Sequence, residues 1–504
     1  MPLLSELLVS LPDARIEGDA ELNIKAVNYD SREVESGSAF VCIRGVAHDG
    51  HDFAQSAVER GAVAVIAESP AAIADLPSHI TRVFVPDTRL ALALMADEFY
   101  GHPSREMMLV GITGTNGKTT VAHLVADLLR DAGYKSVGII GTLGAATEKN
   151  YYDTGRTTPE SLDLQRLLAD FLDGGSEAVV MEVSSHALAQ QRVAGCAFDA
   201  GIFTNLTQDH LDFHGDMEEY FAAKTRLFTD VARASEAHKS FGAVFPTDDR
   251  YGVRLTQLDS DTPFITYGIE ADAHVKAAAV MLRPTGTSFV ARTSSGDIPF
   301  DVKLTGRFNV QNMLAAIAFG ILKGIPISQI QSAMQRANAP EGRMEVIDEG
   351  QDFYVAVDYA HTPDGLKNVL ATVKEFTKGR LICVFGCGGD RDRTKRPQMG
   401  AIAASLADLV VVTSDNPRTE DPNRILDDIL AGTSGTSANV ESEVDRRKAI
   451  ERALEMARAG DFVVVAGKGH ETYQIFKDRT IHFDDREVVR EWLEGAGENG
   501  GGER

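Results

Sequence analysis

A glycine-rich segment at residues 111–120, GITGTNGKTT, holds the residue types that bind phosphate. It stands between a short apolar run, MMLVGI (107–112), and a helical pattern. Glycines let backbone N–H groups turn toward an anion, and the N-terminus of the following helix adds positive dipole. Lys118 would reach the β- and γ-phosphates of a nucleotide, while the hydroxyl of Thr119 would bind Mg²⁺. Ile112 stands where the strict pattern needs its first glycine, so we interpret the segment as a variant phosphate loop. The alternative is a glycine-rich turn without a ligand.

Carboxylates and histidines further along the chain could hold a metal ion. Glu182 ends the apolar run AVVME, and a carboxylate at the end of a parallel strand is a candidate Mg²⁺ ligand. The alternative is an acid that caps a helix. A dense polar cluster could be a metal site or simply a polar loop. Its members are Asp209, His210, Asp212 and His214.

Two further patterns are weak. Ser184, Ser185 and His186 could suggest a hydrolase triad, but the G-x-S-x-G elbow of such enzymes is missing. Cys383 and Cys387 are four residues apart, but no second pair of ligands at zinc spacing accompanies them. Neither pattern predicts a site by itself.

The elements that must position these residues alternate between apolar runs and helical patterns. Strand-like runs follow the phosphate loop at 136–140, 178–183 and 200–205, and the alternation restarts beyond a boundary at 339–342. Such alternation indicates βαβ units and mostly parallel sheets. Together with a break near Pro103 it predicts three α/β domains. We place a small N-terminal domain at 1–105, a central phosphate-loop domain with a mostly parallel sheet at 106–338, and a Rossmann-like domain with a disordered glycine-rich tail at 339–504.

Composition sets limits on the class of protein. The 504 residues carry 74 acidic and 50 basic side chains, a formal charge of −24, and this argues against a nucleic-acid partner, which needs a basic face. Four cysteines are too few for a disulfide scaffold and favour a reducing compartment. The N-terminus, which we expect to form an amphipathic helix, lacks the basic region of a signal peptide, and no run reaches the ~20 apolar residues of a membrane span. We therefore expect a cytoplasmic protein, not inserted in a membrane, and a monomer.

The string GTNGKTT resembles that of the Mur ligases and their folylpolyglutamate synthetase relatives, which form amides at the expense of ATP. Further segments extend the resemblance over nearly the whole chain. They are MEVSSHALAQQR (181–192), TNLTQDHLDFHG (204–215), YFAAKTRLF (220–228), GRFNVQNMLAA (306–316), EGRMEV (341–346), VDYAHTPDGL (357–366), FGCGGDRDRTKRP (385–397), DNPR (415–418) and GKGHE (467–471).

The resemblance implies specific roles for residues of the central domain and of the boundary that follows it. It implies an ATP site at Gly114, Thr115, Asn116, Gly117, Lys118, Thr119, Thr120, Asn309, Arg343, Asp358 and His361. It makes Lys118, Glu182, His210 and Lys224 catalytic, and it places Mg²⁺ at Thr119, Glu182, His210 and a carbamylated Lys224. On the residue alone, Lys224 would be a surface lysine. Gln208 stands where the family often has arginine.

The resemblance also implies the substrates. It assigns the acceptor, UDP-MurNAc-L-Ala-D-Glu, to Ser31, Thr157, Thr158, Ser184, Gln190 and Arg192. It assigns meso-diaminopimelate to Arg391, Asp415, Asn416, Pro417, Arg418, Gly467 and Glu471. Two arginines for carboxylates and two acids for ammonium groups suit a doubly zwitterionic amino acid. The implied reaction activates the acceptor's terminal carboxylate as an acyl phosphate, which the amine then attacks.

Three alternatives remain open from the sequence. Within the family they are a lysine-adding enzyme, which would lack Arg418, and a folylpolyglutamate-type ligase, which would lack the N-terminal domain with its Asp30-Ser31-Arg32 segment. Outside it, a phosphate-loop switch or assembly protein would bind ATP without joining substrates.

Overall fold

Three β-sheets, each covered by helices, follow one another along the chain. The computed structural model describes residues 1–45, 48–436 and 438–500. Within these ranges, no helix is both long and apolar enough to cross a lipid bilayer.

The N-terminal sheet has the order β1-β5-β4-β3-β2, and only β1 runs antiparallel to its neighbour. Its strands are β1 (Arg15–Glu17), β2 (Ala26–Asn28), β3 (Ser38–Val41), β4 (Ala62–Ala67) and β5 (Thr81–Phe84). Its helices are α1 (Leu4–Leu7), α2 (Ala54–Glu59), α3 (Thr88–Phe99) and α4 (Pro103–Glu106). The predicted N-terminal helix is thus a single turn.

The central sheet has eleven strands, and its six inner pairings, from β14 across to β7, are parallel. The strands are β6 (Met108–Thr113), β7 (Val137–Gly141), β8 (Gly144–Ala146), β9 (Tyr151–Tyr152), β10 (Ala178–Glu182), β11 (Ala200–Phe203), β12 (Gly242–Pro246), β13 (Phe264–Gly268), β14 (Val275–Arg283), β15 (Gly286–Thr293) and β16 (Gly296–Val302). The helices are α5 (Lys118–Asp131), α6 (Ser161–Asp173), α7 (Ser185–Ala189), α8 (Leu211–His214), α9 (Met217–Thr225), α10 (Asp230–Glu236), α11 (Arg250–Leu255), α12 (Arg307–Leu322) and α13 (Ile327–Arg336).

Strand β6 lies at the centre of this sheet, between β10 and β11. Every residue of β10 is buried, which explains its Val-rich sequence, since helices cover both faces. The carboxyl ends of β6, β7, β10 and β11 meet at one edge. Ligands of open α/β sheets bind at such an edge.

The C-terminal domain has a six-stranded sheet of order β17-β18-β22-β19-β20-β21, in which only β17 is antiparallel. Its strands are β17 (Glu345–Ile347), β18 (Tyr354–Asp358), β19 (Leu381–Phe385), β20 (Leu409–Val412), β21 (Asn439–Ser442) and β22 (Phe462–Ala466), followed by a hairpin of β23 (Tyr473–Ile475) and β24 (Thr480–His482). Its helices are α14 (Pro363–Phe376), α15 (Lys395–Leu406), α16 (Pro422–Leu430), α17 (Arg446–Met456) and α18 (Asp485–Gly500).

The C-terminal tail differs from the predicted disorder. Helix α18 continues to Gly500, and residues 501–504 lie outside the described residues. Val488, Val489 and Leu493 are buried against the sheet. Adding residues to a helix that is already packed is much less costly than nucleating one, so the glycine-rich stretch can extend it.

Candidate functional site

The phosphate loop connects β6 to α5, as the sequence predicts. Gly114 has a φ of +145°, and a Cβ there would lie 1.9 Å from Thr204 Oγ1. That hydroxyl donates to the carbonyl of Asn116 at 2.6 Å, and the Asn116 amide donates to Asn205 Oδ1 at 2.9 Å. The strand end of β11 therefore holds the loop in place, and only glycine fits at position 114.

Two lysines converge on this loop. Lys118 Nζ and Lys224 Nζ both donate to the Gly114 carbonyl, at 3.0 and 2.8 Å, and Lys118 also donates to the Thr115 carbonyl at 2.8 Å. Lys224 is 1% exposed. Burial lowers the pKa of both amines, that of Lys224 far below its usual range, and the Lys118 charge lowers the pKa of Lys224 further. The environment of Lys224 thus favours a neutral amine.

Glu182 lies at the end of β10, beside the start of α5. Its Oε1 accepts hydrogen bonds from Thr119 Oγ1 and from the Thr142 amide, both at 2.9 Å, and its Oε2 accepts one from Thr142 Oγ1 at 3.2 Å. Thr142 Oγ1 is also 3.2 Å from Thr157 Oγ1. Carboxylate and hydroxyl oxygens next to a phosphate loop are the donors that Mg²⁺ prefers, so this group fits that ion.

His210 lies in the loop before α8 with a φ of +55°, and its ring is 4.9 Å from that of His186. His214 Nε2 is 2.8 Å from Ser185 Oγ, and both residues are buried. In the described ranges, no group of three or more His, Cys, Asp or Glu side chains is arranged to hold a metal ion. One member of the predicted polar cluster, the Asp212 side chain, lies outside the described residues.

A cleft of about 280 Å³ separates the phosphate loop from the C-terminal domain. Arg343 crosses it, since its Nη2 donates to Thr119 Oγ1 at 3.2 Å and its guanidinium lies 4.4 Å from the centre of the Tyr359 ring. Arg343 Nε is buried without a hydrogen-bond partner in the described part of the chain, which suits an anionic ligand. Side chains from both domains line the cleft. The predicted nucleotide residues among them are Thr115, Asn116, Gly117, Lys118, Thr119, Thr120, Asn309, Arg343, Asp358 and His361.

Two of these residues also fix the backbone around the cleft. The two Asp358 oxygens accept hydrogen bonds from the amides of Met344, at 2.7 Å, and Ala360, at 2.8 Å. Burial raises the pKa of Asp358, while Arg343 and these amides oppose the shift. Asn309 Nδ2 donates to the Thr305 carbonyl at 2.9 Å. Burial lowers the pKa of His361, so its ring favours the neutral form.

The residues predicted for the acceptor form a second hydrogen-bonded group, with Ser31 as the exception. Thr158 Oγ1 donates to the Glu182 carbonyl at 2.9 Å and lies 3.3 Å from Ser184 Oγ. Arg192 donates to the Thr158 carbonyl at 2.9 Å and to Gln190 Oε1 at 2.7 Å. Ser31 starts a 3₁₀ turn in the N-terminal domain and takes no part in the described hydrogen bonds of this group.

A third group gathers at the carboxyl ends of β19, β20 and β22. Asn416 Nδ2 donates to Glu471 Oε2 at 2.8 Å, and Arg418 Nη1 donates to the Gly389 carbonyl at 2.8 Å. Gly467 has a φ of +118°, and a Cβ there would lie 2.8 Å from Asp415 Oδ2. Arg391 belongs to the loop after β19, where it is exposed and its Nη1 donates to the Asp390 carbonyl at 3.2 Å. The structure thus brings together Asp415, Asn416, Pro417, Arg418, Gly467 and Glu471, with Arg391 at the margin of the group.

Comparisons with known proteins agree with this architecture. Family models match in chain order: the Mur ligase family catalytic domain at residues 23–100, the Mur ligase middle domain at 112–320, and the Mur ligase glutamate ligase domain at 342–469. A protein of Geobacillus thermodenitrificans named UDP-N-acetylmuramoyl-L-alanyl-D-glutamate--2,6-diaminopimelate ligase is 47% identical over 97% of this chain and 98% of its own. The chain belongs to the Mur ligase family.

Other relatives extend this result. A protein of the same name from Syntrophomonas wolfei is 45% identical over 98% of this Mur ligase and 99% of its own length. A solved structure of that name has a TM-score of 0.71 at 32% identity and covers 98% of this chain and 99% of its own. MurF ligase from Thermotoga maritima in complex with ADP has a TM-score of 0.63, covers 94% and 98% of the two chains, and at 19% identity shares the fold. The predicted three-domain α/β fold is confirmed.

Three further residues of this Mur ligase join these groups, although the sequence does not predict a role for them. Thr142 follows β7 directly and bonds Glu182. Glu160 accepts from Arg89, Arg156 and Arg192 at 3.3, 2.7 and 3.0 Å and so joins the N-terminal domain to the acceptor group. Lys468 contacts Glu471. Thr142 could have been found from its position at a strand end, whereas nothing local marks Glu160, and the segment GKGHE that contains Lys468 does not reveal its partners.

Proposed function

We propose that this Mur ligase uses ATP to join meso-diaminopimelate to UDP-MurNAc-L-Ala-D-Glu, a step of peptidoglycan precursor synthesis. The observation that carries the proposal is the third group of side chains. There Arg391 and Arg418 supply two cations, while Asp415 and Glu471 supply two anions, around the ends of three adjacent strands. The names of the relatives, given above for those proteins, support the same assignment.

The first chemical step transfers a phosphoryl group. The terminal carboxylate of the acceptor attacks the γ-phosphorus of ATP, the bond to ADP breaks, and an acyl phosphate forms. Lys118, Arg343 and the amides of the phosphate loop would neutralise the charge that spreads over the transferring oxygens. Lys118 must leave its own loop carbonyls to do so. Mg²⁺ bound by Thr119 and Glu182 would supply further positive charge at these oxygens.

The second step forms the amide. The deprotonated amine of diaminopimelate attacks the acyl carbon, the nitrogen then loses one proton to solvent, and the tetrahedral intermediate expels phosphate. We assign Thr157, Thr158, Ser184, Gln190 and Arg192 to hold the acceptor's peptide end in place for both steps. Ser31 would contact the uridine diphosphate end from the N-terminal domain.

Lys224 and His210 complete the proposed metal environment. An ammonium next to Mg²⁺ would repel it, whereas a carbamate on Lys224 would attract it. Only a neutral amine adds CO₂, and the burial that lowers the pKa of Lys224 favours that form. We therefore propose that Lys224 is carbamylated and that, together with His210, it would hold a second Mg²⁺ next to the one at Thr119 and Glu182.

Each of the three domains has one substrate in this proposal. We propose that residues 1–105 bind the UDP end, that residues 106–338 bind ATP, and that residues 339–504 bind the amino acid. All four cysteines are free and buried, which fits a protein of the reducing cytoplasm. A monomer would suffice, because each proposed site is built from one chain, and light scattering would test this.

The decisive experiment measures ATP-dependent phosphate release with UDP-MurNAc-L-Ala-D-Glu and either meso-diaminopimelate or L-lysine. We expect release with diaminopimelate and formation of the tripeptide product. Release with lysine alone would assign the chain to the lysine-adding enzymes. Release without any amino acid or acceptor would favour an ATP-driven switch.

A further inference from the structure

Lys468 lies behind the proposed amino-acid site and has no role in the scheme above. Its side chain is 0% exposed, and its Nζ donates to Glu471 Oε2 at 3.1 Å and to Asn416 Oδ1 at 3.3 Å. The ammonium also lies 5.5 Å from the centre of the Tyr473 ring. A cation that solvent does not reach is too deep to touch a bound amino acid, so any effect on binding must pass through its partners.

The two partners come from different loops. Asn416 follows β20, and Glu471 follows β22. Asn416 Oδ1 accepts from Lys468 and from the Ile475 amide at 3.0 Å, so the Nδ2 of the same side chain faces Glu471 Oε2, 2.8 Å away. Lys468 thus helps to set which way the Asn416 amide points.

The same contacts select one oxygen of Glu471. In the described hydrogen bonds, both donors to this carboxylate use Oε2, which leaves Oε1 to accept an ammonium group of the ligand. Lys468 therefore controls the orientation of Glu471 and places a positive charge next to its Oε2.

We propose that Lys468 is a positioning residue that holds Asn416 and Glu471 in the geometry needed to bind an ammonium group of meso-diaminopimelate. This inference rests on the proposed function. Without Lys468, the loops after β20 and β22 would lose the hydrogen bonds that join them, and Glu471 would lose its buried counter-charge. The phosphate loop lies in another domain and would keep its contacts.

The test compares Lys468→Met with Lys477→Met, an exposed lysine on the neighbouring hairpin. We expect Lys468→Met to raise KM for diaminopimelate about tenfold or more, the scale of one lost charge-assisted contact. KM for ATP and for the acceptor should stay near the wild-type values, and Lys477→Met should change none of the three. An equal rise of all three constants in Lys468→Met, or no rise for diaminopimelate, would overturn the inference.

A double-mutant cycle with Glu471→Gln separates positioning from general packing. Because Lys468 acts in part through Glu471, Lys468→Met should raise KM for diaminopimelate by a smaller factor in the Glu471→Gln background than in the wild type. Independent, multiplicative effects would contradict the proposal. If circular dichroism shows that the methionine variant is unfolded, Lys468→Gln, which keeps an N–H donor without the charge, takes its place. Turnover of the wild-type enzyme with diaminopimelate tests the proposed function separately.

Discussion

Replacement of Arg418 by alanine should separate amino-acid binding from ATP binding. Arg418 has a φ of +51°, its amide donates to the Ile475 carbonyl at 3.0 Å, and its Nη1 donates to the Gly389 carbonyl at 2.8 Å. Alanine keeps the backbone hydrogen bond to Ile475 and removes only the guanidinium, so the loop should keep its conformation. A charge-assisted hydrogen bond contributes about 1.5–3 kcal/mol. Since ~1.4 kcal/mol corresponds to a factor of ten, KM for diaminopimelate should rise roughly 10- to 150-fold.

The assay is phosphate release at varied diaminopimelate, with ATP and acceptor saturating, and then at varied ATP. KM for ATP should stay nearly unchanged, because Arg418 lies outside the nucleotide cleft. Preference for diaminopimelate over lysine should also fall, since lysine lacks the carboxylate that Arg418 would bind. Arg393→Ala is the matched control, because it removes an exposed guanidinium from a nearby loop. Equal rises of the two KM values, or an equal effect of Arg393→Ala, would refute the assignment.

Four further outcomes follow from the structure. Lys118→Ala should abolish turnover, and a near-normal kcat would exclude Lys118 from phosphoryl transfer. Gly114→Ala should weaken ATP binding in equilibrium titrations, because its Cβ would overlap Thr204 Oγ1. Arg446→Met should destabilise the C-terminal domain by about 3–5 kcal/mol, the cost of leaving a buried ion partner unpaired. Its partner Asp485 is fully buried. Urea unfolding can be followed by the fluorescence of the only tryptophan, Trp492 in α18, which reports on this domain. The double variant with Asp485→Leu should regain most of the lost unfolding free energy. Hydrogen bonds from Arg396 lower the pKa of Glu420 from 4.5 to about 2, so its contribution is present above pH 4.5 and lost as the pH falls through 2. Glu420→Gln should therefore flatten the acid-induced fall of the urea midpoint in this range, and an unchanged profile would contradict the assignment.

The buried parallel strands could be predicted because their signal is local. Uninterrupted runs of Val and Ile give β10 and β22 a pattern that only strands covered on both faces need. Strands β15 and β16, which extend the central sheet as antiparallel strands, are not predicted from the sequence. Only β-branched and aromatic residues scattered among polar ones mark this hairpin, and the pattern is weaker than an unbroken apolar run.

The candidate site also has a part that can be predicted from the local sequence and a part that cannot. The loop around Lys118 is a contiguous segment whose glycines and helix start can be read directly from the chain. The contact of Arg343 with Thr119 joins residues 224 positions apart and depends on how two domains pack. Nothing local in either segment specifies that distance.

The chain order of the three domains, the phosphate loop and the residue types at each strand end can therefore be predicted from the sequence. Which strand ends meet, and which charged groups lose contact with solvent, depends on how the chain folds. Lys224 is the clearest example, since it stands in an ordinary helical stretch and is buried only because α9 packs against the phosphate loop. Backbone propensities act over a few residues, whereas burial, and the shifted pKa values that follow from it, arise from contacts between distant segments.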